Sequence, residues 1–477
     1  MSGQYYCPLY FKKNIMKNLY LSAAALMFGL FVTAQENQAS ADQNGTLNDA
    51  KAQQIGEKNK VLVEQNDKDN YAKTFQTGLR NYGKVDQDGF AHTANLEQYG
   101  TRNDGRIIQN EGVDGVTGHE AWLVQGSATD AGVGNVSRIA QSSRNPVIGG
   151  NKAYVNQLFD DNRAIVAQDG NNNEVEVMQD AFASDPNAPR AGHSNNAQIL
   201  QAQNNNKAFV DQIATSADGL ENFARVESRG EGNYVEIEQN GEGNTAIANQ
   251  GLRGLLSSAT NSALSSSALS SWADTMSTYD EADHFGSQHG STYQTQIGEG
   301  NVAQTHQFGS GLYSPGSTAE KNNIAVQTQV GESNQAYVLQ NNTLSGTADG
   351  NYADQNQMGE ENIAITSQQG NRNETFVTQK QNGNYSENTQ RAVENYATIY
   401  QDGEMLESYL TQSGSKDQAY VSQYGNGHIS TITQTGGSGN TATVLQDNTG
   451  GTNGNATPGM RDSSLSQRTM SALPGRN

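Results

Sequence analysis

Glutamine returns every eleven residues. Gln43, Gln54, Gln65, Gln76, Gln87, Gln98 and Gln109 are evenly spaced, and the spacing resumes from Gln357 through Gln368, Gln379, Gln390, Gln401, Gln412 and Gln423 to Gln434. A fixed short period means that each unit is one small element stacked on copies of itself. Six residues before most of these glutamines stands an asparagine. Asn37, Asn48, Asn59, Asn70 and Asn81 show this early, and Asn233 before Gln239, Asn244 before Gln250, Asn395 before Gln401 and Asn440 before Gln446 show it later. A glycine often follows the glutamine by two, as at Gly45, Gly56, Gly78, Gly100, Gly403, Gly414 and Gly425. The unit is N-x-A-x-V-x-Q-x-G-x-x.

Inside the unit the alternation has period two. NYVEIEQ at 233–239 puts Asn233, Val235, Ile237 and Gln239 on one face and Glu236 and Glu238 on the other. That is the pattern of a strand with one buried face. An eleven-residue helical repeat needs apolar residues at three/four spacing, which is absent. The remaining x-G-x-x is a tight turn, where glycine supplies backbone angles that other residues resist. Two units then make one 22-residue strand–turn–strand–turn rung, and stacked rungs give an all-β parallel β-solenoid with amyloid-like spacing of about 4.8 Å. The 30 units between Asn37 and Gln446 predict about 15 rungs and roughly 70 Å of stack.

A buried amide is costly alone. In a stack, each side-chain amide is expected to donate to one neighbouring rung and accept from the other. The asparagines and glutamines named above are therefore read as structural ladder residues, and those of the end units as the polymerisation surface. His92, His119 and His428 occupy the asparagine slot and Ser228 a glutamine slot, as substitutes able to hydrogen-bond within the ladder. The turns at 110–118, 126–134, 142–150, 180–194, 213–221, 308–322 and 341–350 are enlarged. Growth at a turn is expected to leave the stack intact.

Composition narrows the function. Apolar residues are 34% of the 477, below the roughly 45–50% of ordinary globular chains, which argues against a conventional enzyme core. The formal charge is −21, the wrong sign for a nucleic-acid partner. Cys7 is the single cysteine, which forbids an intrachain disulfide framework. No ligand spacing for a metal, no phosphate loop and no nucleophile elbow is found, so no catalytic, cofactor or metal residues are assigned and the protein is read as not an enzyme.

Residues 1–34 read as a secretory signal peptide, with a lysine before the apolar run from Leu19 to Val32 and a small residue at Ala34. Met16 stands where such a leader ordinarily starts, so 1–15 are open to reading as an over-called start. The run is short for a span, and no other stretch is apolar enough, so an integral membrane protein is not expected. Residues 35–250 form the first part of the repeat array and 290–446 the second. Between them, 251–289 are a Ser/Ala/Leu-rich insertion, and 447–477 are expected to be a disordered tail.

N-x-A-x-V-x-Q-x-G-x-x-N-x-x-x-x-x-Q resembles the curlin repeat, the unit of curli amyloid fibres. QTGLRNYGKVDQ at 76–87, QIGEKNKVLVEQ at 54–65, QNGEGNTAIANQ at 239–250 and QVGESNQAYVLQ at 329–340 each fit its Q-x-G-x-x-N-x5-Q segment. The resemblance implies export across the outer membrane of a Gram-negative bacterium and assembly at the cell surface into cross-β fibres for adhesion and biofilm matrix. It also implies self-association as the main partnership, with other curlin-like subunits and a curli-type export and nucleation machinery beside it. Two features depart from the family. The chain is far longer than enterobacterial subunits, and NQASADQ at 37–43 already fits the repeat where a separate targeting stretch would stand. Major subunit, nucleator and adhesin stay open, and the alternative is a monomeric β-solenoid surface adhesin acting through its enlarged loops.

Overall fold

A computed structural model describes residues 36–111, 118–129, 132–143, 149–181, 195–215, 220–251, 287–288, 290–309, 323–342 and 350–447. The expected signal peptide, most of the 251–289 insertion and all of the tail after residue 447 lie outside them. Every regular element among the described residues is a β-strand. No described helix is long and apolar enough to cross a membrane.

The strands form two parallel sheets. Each has fifteen strands in an unbranched path, plus one two-residue strand off it. Successive units alternate between the sheets. Gln38–Thr46 opens the first sheet and pairs with Lys60–Lys68, while Asp49–Glu57 opens the second and pairs with Tyr71–Leu79. The chain is thus a parallel β-solenoid, as its periodicity predicts.

Register places like over like. Gln43 lies opposite Gln65, and Gln54 opposite Gln76. The enlarged turns do not disturb this. Gln109 pairs with Gln141, Gln168 with Gln201, and Gln239 with Gln296 across the whole 251–289 insertion. A one-residue slip would turn every inward amide and valine outward, so the two-faced pattern holds register wherever the loop length varies.

The space between the sheets is filled by small and β-branched side chains. One apolar cluster runs from Val61 to Ala248, and a second runs from Ala364 to Ile432. Between them only Ala325, Val338 and Ala353 form an apolar group. There the valine slot is taken by Gln294, Gln327 and Gln355, all buried.

The turns follow from sterics. Gly56 has φ +101°, and a Cβ there would sit 2.1 Å from the Gly78 carbonyl oxygen one rung on. Gly45, Gly78, Gly100 and Gly425 are likewise left-handed. Gly403 and Gly414 correct the sequence expectation, because their φ lies outside that region. Close approach explains them instead: a Cβ on Gly403 would meet Gly425 O at 1.7 Å, and one on Gly414 would meet Asp417 Oδ2 at 2.5 Å.

Candidate functional site: the amide ladders and the end rungs

The glutamine slot closes each strand on its inward side. In the second sheet, Gln54, Gln76, Gln98, Gln125, Gln157, Gln179, Gln212, Gln239, Gln296, Gln329, Gln357, Gln379, Gln401, Gln423 and Gln446 form one unbroken column. Each Nε2 donates to the next Oε1 at 2.7–3.0 Å. The first sheet repeats this from Gln43 through Gln65 and Gln87 to Gln201, and again from Gln250 to Gln412 and Gln434. Ser228 interrupts it. Its hydroxyl donates to Gln250 Oε1, but Gln201 Nε2 donates to the Glu174 carbonyl instead.

From Gln54 onward, the second proton of each column glutamine crosses between sheets. Gln65 donates to Asp49 O at 3.2 Å, Gln76 to Lys60 O at 3.1 Å and Gln401 to Tyr385 O at 3.0 Å. A ladder glutamine such as Gln65 therefore has both protons and its carbonyl oxygen partnered, which removes the desolvation penalty of burying it.

Asparagine behaves differently from the amide-to-amide expectation. Asn59 Oδ1 accepts the backbone N–H of Asn81, and its Nδ2 donates to the carbonyls of Ile55 and Gly78. Asn37 and Asn70 make the corresponding bonds to Asn59 N and to Gly89 O. Asparagine is one methylene shorter than glutamine, so its amide stays at the corner and satisfies the turn backbone. Direct amide contacts do occur, as in Asn244 to Asn222 and Asn384 to Asn362. These donate toward the N-terminus, opposite to the glutamine columns.

His92 and His119 fill this corner with stacked rings, 5.0 Å apart and parallel within 1°. His92 Nδ1 accepts the His119 N–H, and His119 Nδ1 accepts the Asn151 N–H, both at 3.0 Å. Burial pushes His92 down to about 4. Burial and the neighbouring His92 push His119 down to about 3. Both rings are neutral acceptors, doing the work of an asparagine Oδ1.

Three corner residues escape the asparagine pattern. Leu406, Gly290 and Asp417 each donate a backbone N–H to the Oδ1 of the preceding corner asparagine, Asn384, Asn233 and Asn395. Their glutamines, six residues on, mark the slots in the sequence. The interior glutamine column was also unforeseen: Gln294 donates to Gln327 and Gln327 to Gln355. The repeated Q-x-Q of YQTQ, VQTQ and DQNQ is its signature. On the outer face of the second sheet, Tyr352, Phe376 and Tyr396 meet as tilted rings with centroids 5.4–5.8 Å apart, and Tyr396 meets Tyr420 at 5.7 Å.

Among the described residues, the two ends of the stack are uncovered and unlike. Gln38–Thr46 is exposed along its whole length. Among the described residues, Gln43 and Gln54 accept no amide proton, so their Oε1 atoms face outward at the N-terminal end. At the other end, Gln434 and Gln446 spend one proton on the carbonyls of Gln418 and Ile429, which leaves the second for a following rung. Asn440 is the last corner amide of the second sheet, and its Nδ2 donates back to Asp417 Oδ1. In the glutamine columns, one end presents acceptors and the other donors.

Residues 409–436, within the last rungs, match the family model described as the curlin associated repeat. The chain carries a curlin repeat. The match contains three glutamine slots: Gln412 and Gln434, in strands of the first sheet stacked in register, and Gln423 between them in the second sheet. The curlin repeat thus sits in the same ladder geometry as the units before it. No curated protein matches the chain. Among the described residues, no group of three or more His, Cys, Asp or Glu side chains is placed to hold a metal ion.

Proposed function

We propose that this curlin-repeat chain is a secreted structural subunit that assembles by templated strand stacking into extracellular amyloid fibres, serving cell adhesion and biofilm matrix at the surface of a Gram-negative bacterium. The polarity of the glutamine columns carries the reading. Every glutamine-to-glutamine bond in the two columns donates toward the C-terminal end, so Gln434 and Gln446 of one copy are matched to Gln43 and Gln54 of the next. The unpaired strand edges at both ends add a backbone template. Self-association is the primary partnership, with a curli-type export and nucleation machinery as the expected environment. Outward acids such as Glu57, Glu236 and Glu238 slow premature pairing through like-charge repulsion.

The test uses the secreted chain and a variant. Purified protein is expected to form fibres with a Thioflavin response and a meridional reflection near ~4.8 Å. In the last strand, Thr441–Asp447, alternate N–H groups face the missing rung. Proline at an edge with its nitrogen toward solvent is tolerated. Thr443→Pro with Leu445→Pro should therefore keep the strand content of the monomer and abolish elongation. Wild-type protein that stays monomeric for days contradicts the proposal and favours a loop-borne adhesin instead.

A further inference from the structure

Asp417 is the carboxylate in a slot built for an amide. It is completely buried. Its backbone N–H bonds Asn395 Oδ1, and its Oδ1 accepts both the backbone N–H of Asn440 at 2.9 Å and Asn440 Nδ2 at 2.8 Å. Its Oδ2 has no hydrogen-bond partner.

The neighbouring rungs show what that second atom replaces. In an asparagine corner, Nδ2 donates to the carbonyl four residues before it and to the carbonyl three residues before the next corner. Asn362 reaches Gln381 O, Asn373 reaches Gln369 O and Ala392 O, and Asn384 reaches Lys380 O. At Asp417 the same two positions are Ser413 and Gly437. A Cβ placed on Gly414 would meet both Asp417 Oδ2, at 2.5 Å, and Gly437 O, at 2.9 Å, which puts the two oxygens on the same small space. A carboxylate oxygen thus stands where the other corners place an amide donor, and among the described residues the Gly437 carbonyl keeps one donor only, the Ser415 N–H at 3.4 Å. Lys416 does not answer it, since its ammonium lies 3.6 Å from Glu394.

We propose that this corner binds a hard cation between Asp417 Oδ2 and the carbonyl oxygens of Ser413 and Gly437. An all-oxygen set of one carboxylate and main-chain carbonyls suits Ca2+ or a cation of like hardness, with water completing the shell. The buried oxygen lies under a surface turn: Ser413 is exposed, and Gly436, Gly437 and Gly439 are left-handed turn residues beside which a Cβ would meet nothing within 4 Å. The cation ties the turn at 413–416 to the glycine turn at 435–439 and so secures the last rung, on which elongation would depend.

Asp417→Asn restores the ladder residue and isolates this site from diffuse binding by the acidic surface. Calorimetric titration of the secreted chain with Ca2+, Mg2+ and Na+ in turn is expected to show one site in the wild type that is weakened at least about tenfold in Asp417→Asn. In chelator, the variant should resist urea better than the wild type, and saturating cation should close the gap. Equal uptake by the two proteins overturns the proposal. So does a wild type that binds none of the three cations.

Discussion

A ladder glutamine is an interior side chain only because copies of it lie on both sides. Gln87 receives a proton from Gln65, gives one to Gln109 and gives the other to Tyr71 O. Gln87→Leu leaves groups on two rungs without partners, at roughly 1–3 kcal/mol for each buried group. Gln201 sits beside the existing break at Ser228 and makes no forward amide bond. The urea midpoint should therefore fall further for Gln87→Leu than for Gln201→Leu, and equal shifts would mean that the columns carry little energy. The histidine corners give a pH signature. His92 and His119 are held at about 4 and about 3, below the ordinary 6.5. The unfolded chain takes up these protons first, so their contribution is fully present above about 6.5 and is lost as pH falls toward 4. Asp354 works in the other direction. Burial raises it to about 6, and this cost to the fold is relieved as pH falls. The difference between wild type and His92→Asn/His119→Asn isolates the imidazoles: the variant should lose less stability between pH 6.5 and 4.

At the scale of the strand and turn, the alternation N-x-A-x-V-x-Q was enough to read strand, inward face and slot. Each of these is a local consequence of a period of two repeated every eleven residues. Pairing of unit with next-but-one unit was legible for the same reason, since the two-unit rung is the shortest one that returns to the same sheet. Chemistry that the repeat does not encode was less visible. The asparagine amide bonds the turn backbone, and nothing in the spacing separates that from an amide ladder. Gly403 and Gly414 look like the other turn glycines in sequence but answer to close packing instead of to a left-handed φ. Leu406 and Asp417 break the slot pattern, and only the glutamines six residues on, Gln412 and Gln423, mark their slots in the sequence. Because register survives every enlarged turn, replacing 251–289 by a four-residue x-G-x-x turn ending in asparagine should preserve strand content by circular dichroism and the urea midpoint. Loss of cooperative unfolding would show that the insertion is part of the core.

For the whole molecule, direction matters most. Because the glutamine-to-glutamine bonds of both columns run one way, joining two like ends sets acceptor against acceptor or donor against donor, whereas joining unlike ends continues both columns. The Thr443→Pro/Leu445→Pro chain keeps an intact N-terminal rung, so it should dock on wild-type C-terminal ends and stop them. Added substoichiometrically to wild-type seeds, it should slow elongation in proportion to its dose, and seeds that elongate unimpeded would rule out this polarity. The central claim is that inward glutamine amides are satisfied by their own copies. It is tested most directly by side-chain amide hydrogen exchange, followed residue by residue by NMR on the assembled protein. Gln87, Gln239 and Gln401 are buried in the columns, while Gln53 and Gln418 are exposed on outward positions. The account predicts strong protection of the first three and rapid exchange of the other two. A single common rate for both sets would contradict it.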